Sequence, residues 1–196
     1  MLHAPTAQSR SHIGVMKSQP MSVYDPSEPK VPDRLMAGLG AARAEAGNSK
    51  DPSTQTGVAV LDGDGGLLAV GRNRFPPGVP ETPENFADRE FKLANIVHAE
   101  IDAIRRAEGD LDGAVAFVWP WPPCAECTEA LVKAGVEAIY APAAFGERLD
   151  RWRASFERAR QVARQRGVRF EELDVDPDDV DAKQFDLTWS QAIGRP

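Results

Sequence analysis

Cysteine and histidine are scarce in this chain, and each scarcity removes options. Its 196 residues hold two cysteines, Cys124 and Cys127, and three histidines, of which only His98 lies outside the first dozen positions. A disulfide between the two cysteines would close a strained short loop, and no signal peptide points to an oxidising compartment. A closed structural zinc site needs four protein ligands. With no third cysteine, and with His3 and His12 in an expected tail, such a site would need an acidic residue to complete it. No apolar run approaches membrane-spanning length, and with no targeting segment visible the expected address is the cytoplasm. Basic residues are outnumbered, giving a formal net charge of -7, which argues against a broad electrostatic footprint for nucleic acid.

The few metal-binding residues present are arranged in a pattern. His98 begins His98-Ala99-Glu100, and Pro122-Pro123 precede Cys124-Ala125-Glu126-Cys127. Cysteines at i and i+3 share one face of a helix, and the prolines mark a helix start, so both sulfurs are expected beside the positive end of a helix dipole. That location favours the thiolate, the form that binds zinc. His98 likewise opens a segment, 98–107, with Ile101 and Ile104 at helical spacing. One imidazole and two thiolates give a tetrahedral metal three ligands and leave the fourth position for water. Glu100, two positions beyond the ligand histidine, points off the ligand face and is expected to carry protons rather than metal. On its own, Cys-x-x-Cys also fits a redox pair, half a zinc finger or two buried thiols, and a lone histidine fits a structural role. The order and spacing of all four residues favour catalysis.

Elsewhere the chain reads as one domain with extensions. Residues 1–32, rich in Ser, Pro and Gln, are expected to form a flexible tail, and 33–173 the domain proper. Residues 174–196 form an acidic C-terminal extension whose stretch 174–181 is expected to be exposed, with Trp189 anchoring the tail or a subunit contact. Asp33 is expected to cap a helix over 33–46. Residues 56–61 and 67–71, around the turn-rich 62–66, predict a hairpin. Then follow the His98 helix, a strand over 115–118, the cysteine helix over 124–134, a strand over 138–140, a helix over 147–166 and a strand over 168–173. Alternation of this kind implies parallel strands. In the last helix Leu149, Trp152, Phe156, Ala159 and Ala163 recur at helical spacing, so its aromatics are expected in the core and its arginines on a solvated surface.

His-x-Glu followed by Pro-Cys-x-x-Cys is the signature of zinc-dependent nucleobase deaminases. Over 49–173 the chain resembles the cytidine and deoxycytidylate deaminase superfamily, and its dCMP deaminase branch in particular. The resemblance is carried by Asp51-Pro52-Ser53-Thr54-Gln55, Asn73-Arg74-Phe75-Pro76, Asp88-Arg89-Glu90-Phe91-Lys92, Val97-His98-Ala99-Glu100 and Pro123-Cys124-Ala125-Glu126-Cys127. It implies an α/β fold, a cytidine deaminase-like three-layer α/β/α arrangement with a five-stranded mixed sheet. It implies Zn2+ held by His98, Cys124 and Cys127, and Glu100 as the proton carrier that takes the water proton, protonates the ring nitrogen and helps ammonia leave. It implies contacts to substrate from Asn73 and from the Ala99 backbone, and a homo-oligomer with subunit contacts near the site. Read without the resemblance, Asn73 is a turn residue.

The chain departs from the branch around the phosphate. Many dCMP deaminases have Asn-Gly where Asn73-Arg74 stands here, and a basic residue where Pro77 stands. Arg74, with Lys50, Arg72, Arg89 and Lys92, is therefore a candidate phosphate partner rather than an assigned one. Trp119-Pro120-Trp121-Pro122 is bulkier than the usual run, and Trp119 or Trp121 is expected either to stack on a base or to pack the core. The expected function is hydrolytic deamination of a pyrimidine nucleotide, dCMP first. The alternatives are deamination of a free base or nucleoside (cytosine, cytidine or guanine), and a catalytically silent zinc-stabilised binding module.

Overall fold

A computed structural model describes residues 31–144 and 146–181. The expected tail up to residue 30, with His3 and His12, lies outside the described residues, as do Trp189 and the side chain of Leu149. The chain forms α1 (Asp33–Ala46), β1 (Gly57–Leu61), β2 (Leu67–Arg72), α2 (Pro83–Ala87), α3 (Arg89–Asn95), α4 (Ala99–Arg106), β3 (Val115–Trp119), α5 (Ala125–Lys133), β4 (Ala138–Pro142), α6 (Gly146–Gln165) and β5 (Arg169–Leu173). Five strands make one sheet in the order β2-β1-β3-β4-β5. β1 runs antiparallel to both β2 and β3, whereas β3, β4 and β5 are parallel. The mixed five-stranded sheet, the hairpin and the parallel run all match the sequence expectation.

Helices cover both faces, which is why β1 and β4 are buried along their whole length. Successive strand residues point to opposite faces. Ala59, Leu61, Phe117, Trp119 and Tyr140 pack with Leu35, Leu39 and Ala42 of α1. Val58, Val60, Ala116, Val118 and Ile139 pack with Ala99 and Ala103 of α4 and Leu131 of α5. The residues expected to hold metal thus belong to the second face. Close approach there depends on Gly71 of β2, where a Cβ would fall 2.2 Å from the Ala103 nitrogen and 2.3 Å from the Ala99 carbonyl oxygen of α4. Any side chain at this position would push the His98 helix off the sheet.

Three expectations need correction. Asp33 lies inside the first turn of α1, not at its cap; Pro32 occupies the cap position and contributes no side-chain bond. The acidic stretch 174–181 is not simply exposed, because Val180 is fully buried against the α1 layer and Val175 packs beside it. Arg43 fastens that stretch by donating to the carbonyls of Pro177 and Val180, while its guanidinium lies 5.3 Å from the Trp119 ring centroid. Finally, α2 and α3 were not anticipated. Thr82 caps α2 ahead of Pro83, and Asp88 caps α3 by accepting from the Phe91 N–H.

Candidate active site

His98 is the residue immediately before α4, and Cys124 holds the same position before α5, where its sulfur accepts from the Cys127 N–H. Two helix N-termini therefore converge, as the spacing predicts. Ser155 of α6 steadies the second by accepting from the Ala125 N–H at 3.3 Å. His98 Nδ1 lies 3.2 Å from Cys127 Sγ and 3.7 Å from Cys124 Sγ, and the three ligand atoms all fall within 4.8 Å of one another. For tetrahedral zinc, with Zn–N near 2.05 Å and Zn–S near 2.3 Å, the nitrogen-to-sulfur edge is about 3.6 Å. The observed edges bracket that value, so these donors are positioned to hold the ion with Nδ1 as the histidine ligand.

The charges agree. In the metal-free cluster the Cys124 thiol is pulled down to about 4, first by its hydrogen bond with Cys127 and then by His98. Cys127 is pushed up by the same bond and by burial, and His98 is raised to about 9 by its bond to Cys124. At pH 7 the trio therefore holds a thiolate, a thiol and an imidazolium. A metal must displace the protons on Cys127 and His98, so zinc affinity should rise as pH increases toward 9, and binding at pH 7 should release about two protons. Calorimetry in buffers of different ionisation enthalpy reads that number. Release of no protons would mean the cluster is already deprotonated.

Glu100 is only 6% exposed, and burial raises its carboxyl above the usual range. The neighbouring His98 charge opposes that rise. A carboxyl beside the ligand trio whose proton affinity is raised by burial suits general acid–base work. It opens with His98 and Cys124 into a cleft of about 740 Å³ lined also by Asp51, Thr54, Asn73, Phe86, Val118 and Trp121. That volume lies within the range of ligand sites.

Asn73 lines this cleft, yet its amide is engaged by the protein. Its Oδ1 accepts from the Thr56 N–H, and its Nδ2 donates to Asp51 Oδ2 and to the Thr54 carbonyl. Both donors are used, so Asn73 anchors the loop 51–56 at the cleft wall and has only a lone pair of Oδ1 to offer. Asp51, fully buried, also accepts from Ser53, Thr54 and Lys92, the last at 2.6 Å in an ion pair. Lys92 is thereby committed to Asp51. Replacing it by Ala should leave a buried carboxylate unpaired and lower stability by about 3 kcal/mol. Denaturant unfolding measures this; an unchanged midpoint would show that Asp51 finds another partner or a proton.

Other expected substrate residues sit elsewhere. Trp119 does not line the cleft. β3 turns it to the α1 face, where it packs in the core under Arg43, while its neighbour Val118 faces the cleft. Arg74 does not line it either; its Nε donates to the Phe75 carbonyl, and its backbone pairs with Val97 beside His98. Ala99 is wholly buried in the first turn of α4, its side chain in the core. Arg72 pairs with Glu45 at 2.8 Å and Lys50 with Glu81 at 3.7 Å. Of the five candidate cations, Arg89 and Lys92 reach the cleft. Sequence reasoning missed Arg151 and Trp152 of α6, which also line it, and placed Trp152 in the core, whereas it is 41% exposed. Phe156, Ala159 and Ala163 are buried as expected.

Comparison with known proteins agrees with this geometry. The family described as the cytidine and deoxycytidylate deaminase zinc-binding region matches residues 33–143. An uncharacterised deaminase encoded in the luxG 3′ region of Aliivibrio fischeri is 34% identical over 128 residues, covering 65% of this chain and 85% of that protein. Human deoxycytidylate deaminase is 28% identical over 109 residues, covering 52% of this chain and 60% of that enzyme. The chain thus spans 60% of the human enzyme's length and 53% of that of the probable deoxycytidylate deaminase of Caenorhabditis elegans. The dCMP deaminase of cyanophage S-TIM5, solved with dCMP and dUMP, superposes with a TM-score of 0.56 at 22% identity over 74% of this chain and all of that one, which shows a common fold. With its zinc-binding region matched across α1 to β4 and its ligand trio in place, the chain belongs to the cytidine and deoxycytidylate deaminase family.

Proposed function

We propose that this protein is a zinc-dependent hydrolase that deaminates a pyrimidine nucleotide, dCMP to dUMP with release of ammonia. The observation that carries the reading is the placement of Glu100, buried and with its carboxyl raised by desolvation, beside the His98, Cys124 and Cys127 trio at one cleft. In this reading His98, Cys124 and Cys127 hold the ion. Bound there, zinc supplies a Lewis acid that brings the pKa of water to about 7. The remaining steps belong to the protein. Glu100 accepts a water proton, passes it to the ring nitrogen next to the amine-bearing carbon, and assists departure of ammonia. The loop 51–56, pinned by Asn73 and Asp51, forms the wall against which the nucleotide lies. Intact Glu100 separates this reading from a silent zinc module, since a purely structural metal has no use for a base in that place.

The relatives named deoxycytidylate deaminase support the choice of substrate. No helix among the described residues is long and apolar enough to cross a membrane. A cytoplasmic site of action, a homo-oligomeric state and a deaminase domain continued past residue 173 by the Val175 and Val180 contacts are part of the proposal. Ammonia release from dCMP, CMP, deoxycytidine, cytosine, adenine and guanine with zinc-loaded protein tests it. Turnover of dCMP above the rest is expected; preference for an unphosphorylated base or nucleoside would replace it with the alternative reading.

A further inference from the structure

Arginine or lysine lines the cleft at three positions, Arg89, Lys92 and Arg151, and the three are not equivalent. Lys92 is neutralised by Asp51 at 2.6 Å. Arg89 of α3 and Arg151 of α6 have no ion pair or hydrogen bond among the described residues, in a chain whose formal charge is -7. An acidic protein that aims two uncompensated guanidinium groups into one cleft has built a local anion site there. Next to them stand the two large hydrophobic residues that are exposed among the described residues, Leu93 at 66% and Trp152 at 41%, and both line the same cleft. Arg89 and Leu93 are four residues apart on α3 and so share a face. Arg151 and Trp152 are adjacent on α6. α3 and α6 therefore each contribute one cation and one exposed apolar side chain to the cleft lining.

We propose that α3 and α6 form a two-sided clamp for the phosphorylated end of a nucleoside monophosphate, with Arg89 and Arg151 binding the phosphate and Trp152 and Leu93 covering the sugar. The proposal rests on the nucleotide reading above and assigns it the residues that distinguish nucleotide from nucleoside. Arg74, Arg72 and Lys50, the other basic residues near Asn73, are turned elsewhere or paired, so the clamp uses elements outside the zinc motif. Guanidinium groups suit the task because their planar forks bind phosphate oxygens bidentately. Trp152 offers a rigid face of low entropy cost for a sugar or base.

Calorimetric binding of dUMP and deoxyuridine to the zinc-loaded full chain, at one fixed low salt concentration, tests the clamp. The wild type should bind dUMP about tenfold or more tightly than deoxyuridine, since each charge-assisted contact is worth about that factor. Arg151→Ala and Arg89→Ala should each shrink the ratio severalfold, Arg151→Lys should restore part of it, and Arg158→Ala, on α6 but outside the cleft, should retain it in full. Absence of any nucleotide preference in the wild type, or full retention of it in both arginine-to-alanine variants, overturns the clamp. Trp152→Ala should weaken both ligands; a change in sedimentation state with unchanged binding would instead make the mouth a subunit contact and overturn the apolar half. The two readings fail separately. If dCMP is not turned over while the dUMP preference exists and falls in Arg151→Ala, the clamp stands and the dCMP reaction does not. If dCMP is turned over and neither arginine matters, the reverse holds.

Discussion

Replacing Glu100 by Gln should lower turnover by about 10²-fold or more while zinc content stays at the wild-type level. The amide keeps the size and most of the hydrogen bonding of the carboxyl but cannot take a proton from water or return one to the ring. Stability is the informative control. Glu100 is buried, and desolvation is the main cause of its raised pKa, so the protein is penalised whenever this carboxyl is charged. A neutral Gln removes the penalty, and the melting temperature should be equal to or above that of the wild type. An activity loss accompanied by zinc loss or a lower melting temperature would assign Glu100 a structural role, and retained turnover would require a different proton carrier.

The second large effect concerns the ligands. Cys124→Ala and Cys127→Ala should each lower zinc affinity by more than the roughly 10–100-fold that loss of an outer-shell partner costs, because a donor in direct contact is removed. Cys127, in the first turn of α5, is 2% exposed, so its loss should also lower the melting temperature of the zinc-loaded protein toward that of the metal-free protein. Zinc stoichiometry by elemental analysis and thermal melts at several zinc concentrations read both effects. A wild-type protein that takes up no zinc would contradict the assignment, as would variants that hold it as tightly.

The ligand trio was legible in the sequence because helix starts are marked locally. Pro122-Pro123 announce the turn that brings Cys124 to the cap and Cys127 one turn in, and nothing distant is needed to read it. The faces of the sheet were not. β3 reads Val-Ala-Phe-Val-Trp, apolar on both sides because helices cover both, so alternation carries no mark of which side holds the metal. That is why the sequence leaves Trp119 open between stacking on a base and packing the core; it belongs to the α1 layer. Helical spacing placed Trp152 with Phe156, but burial ends along α6 where the helix passes the cleft mouth, and periodicity does not report where a helix leaves the core. With five and seven residues, α2 and α3 are too short for a periodic signal, and only the caps Thr82 and Asp88 betray them. In the acidic stretch after β5, two valines among aspartates pin the segment, and composition alone hid them.

Isotope transfer tests hydrolysis at this site most directly. Zinc-loaded protein incubated with dCMP in ¹⁸O-labelled water, followed by mass spectrometry of the nucleotide and assay of ammonia, should give dUMP carrying one labelled oxygen on the ring and an equal amount of ammonia, with Glu100→Gln giving almost none of either. Recovery of unchanged dCMP from wild-type protein shown to contain zinc would contradict the account.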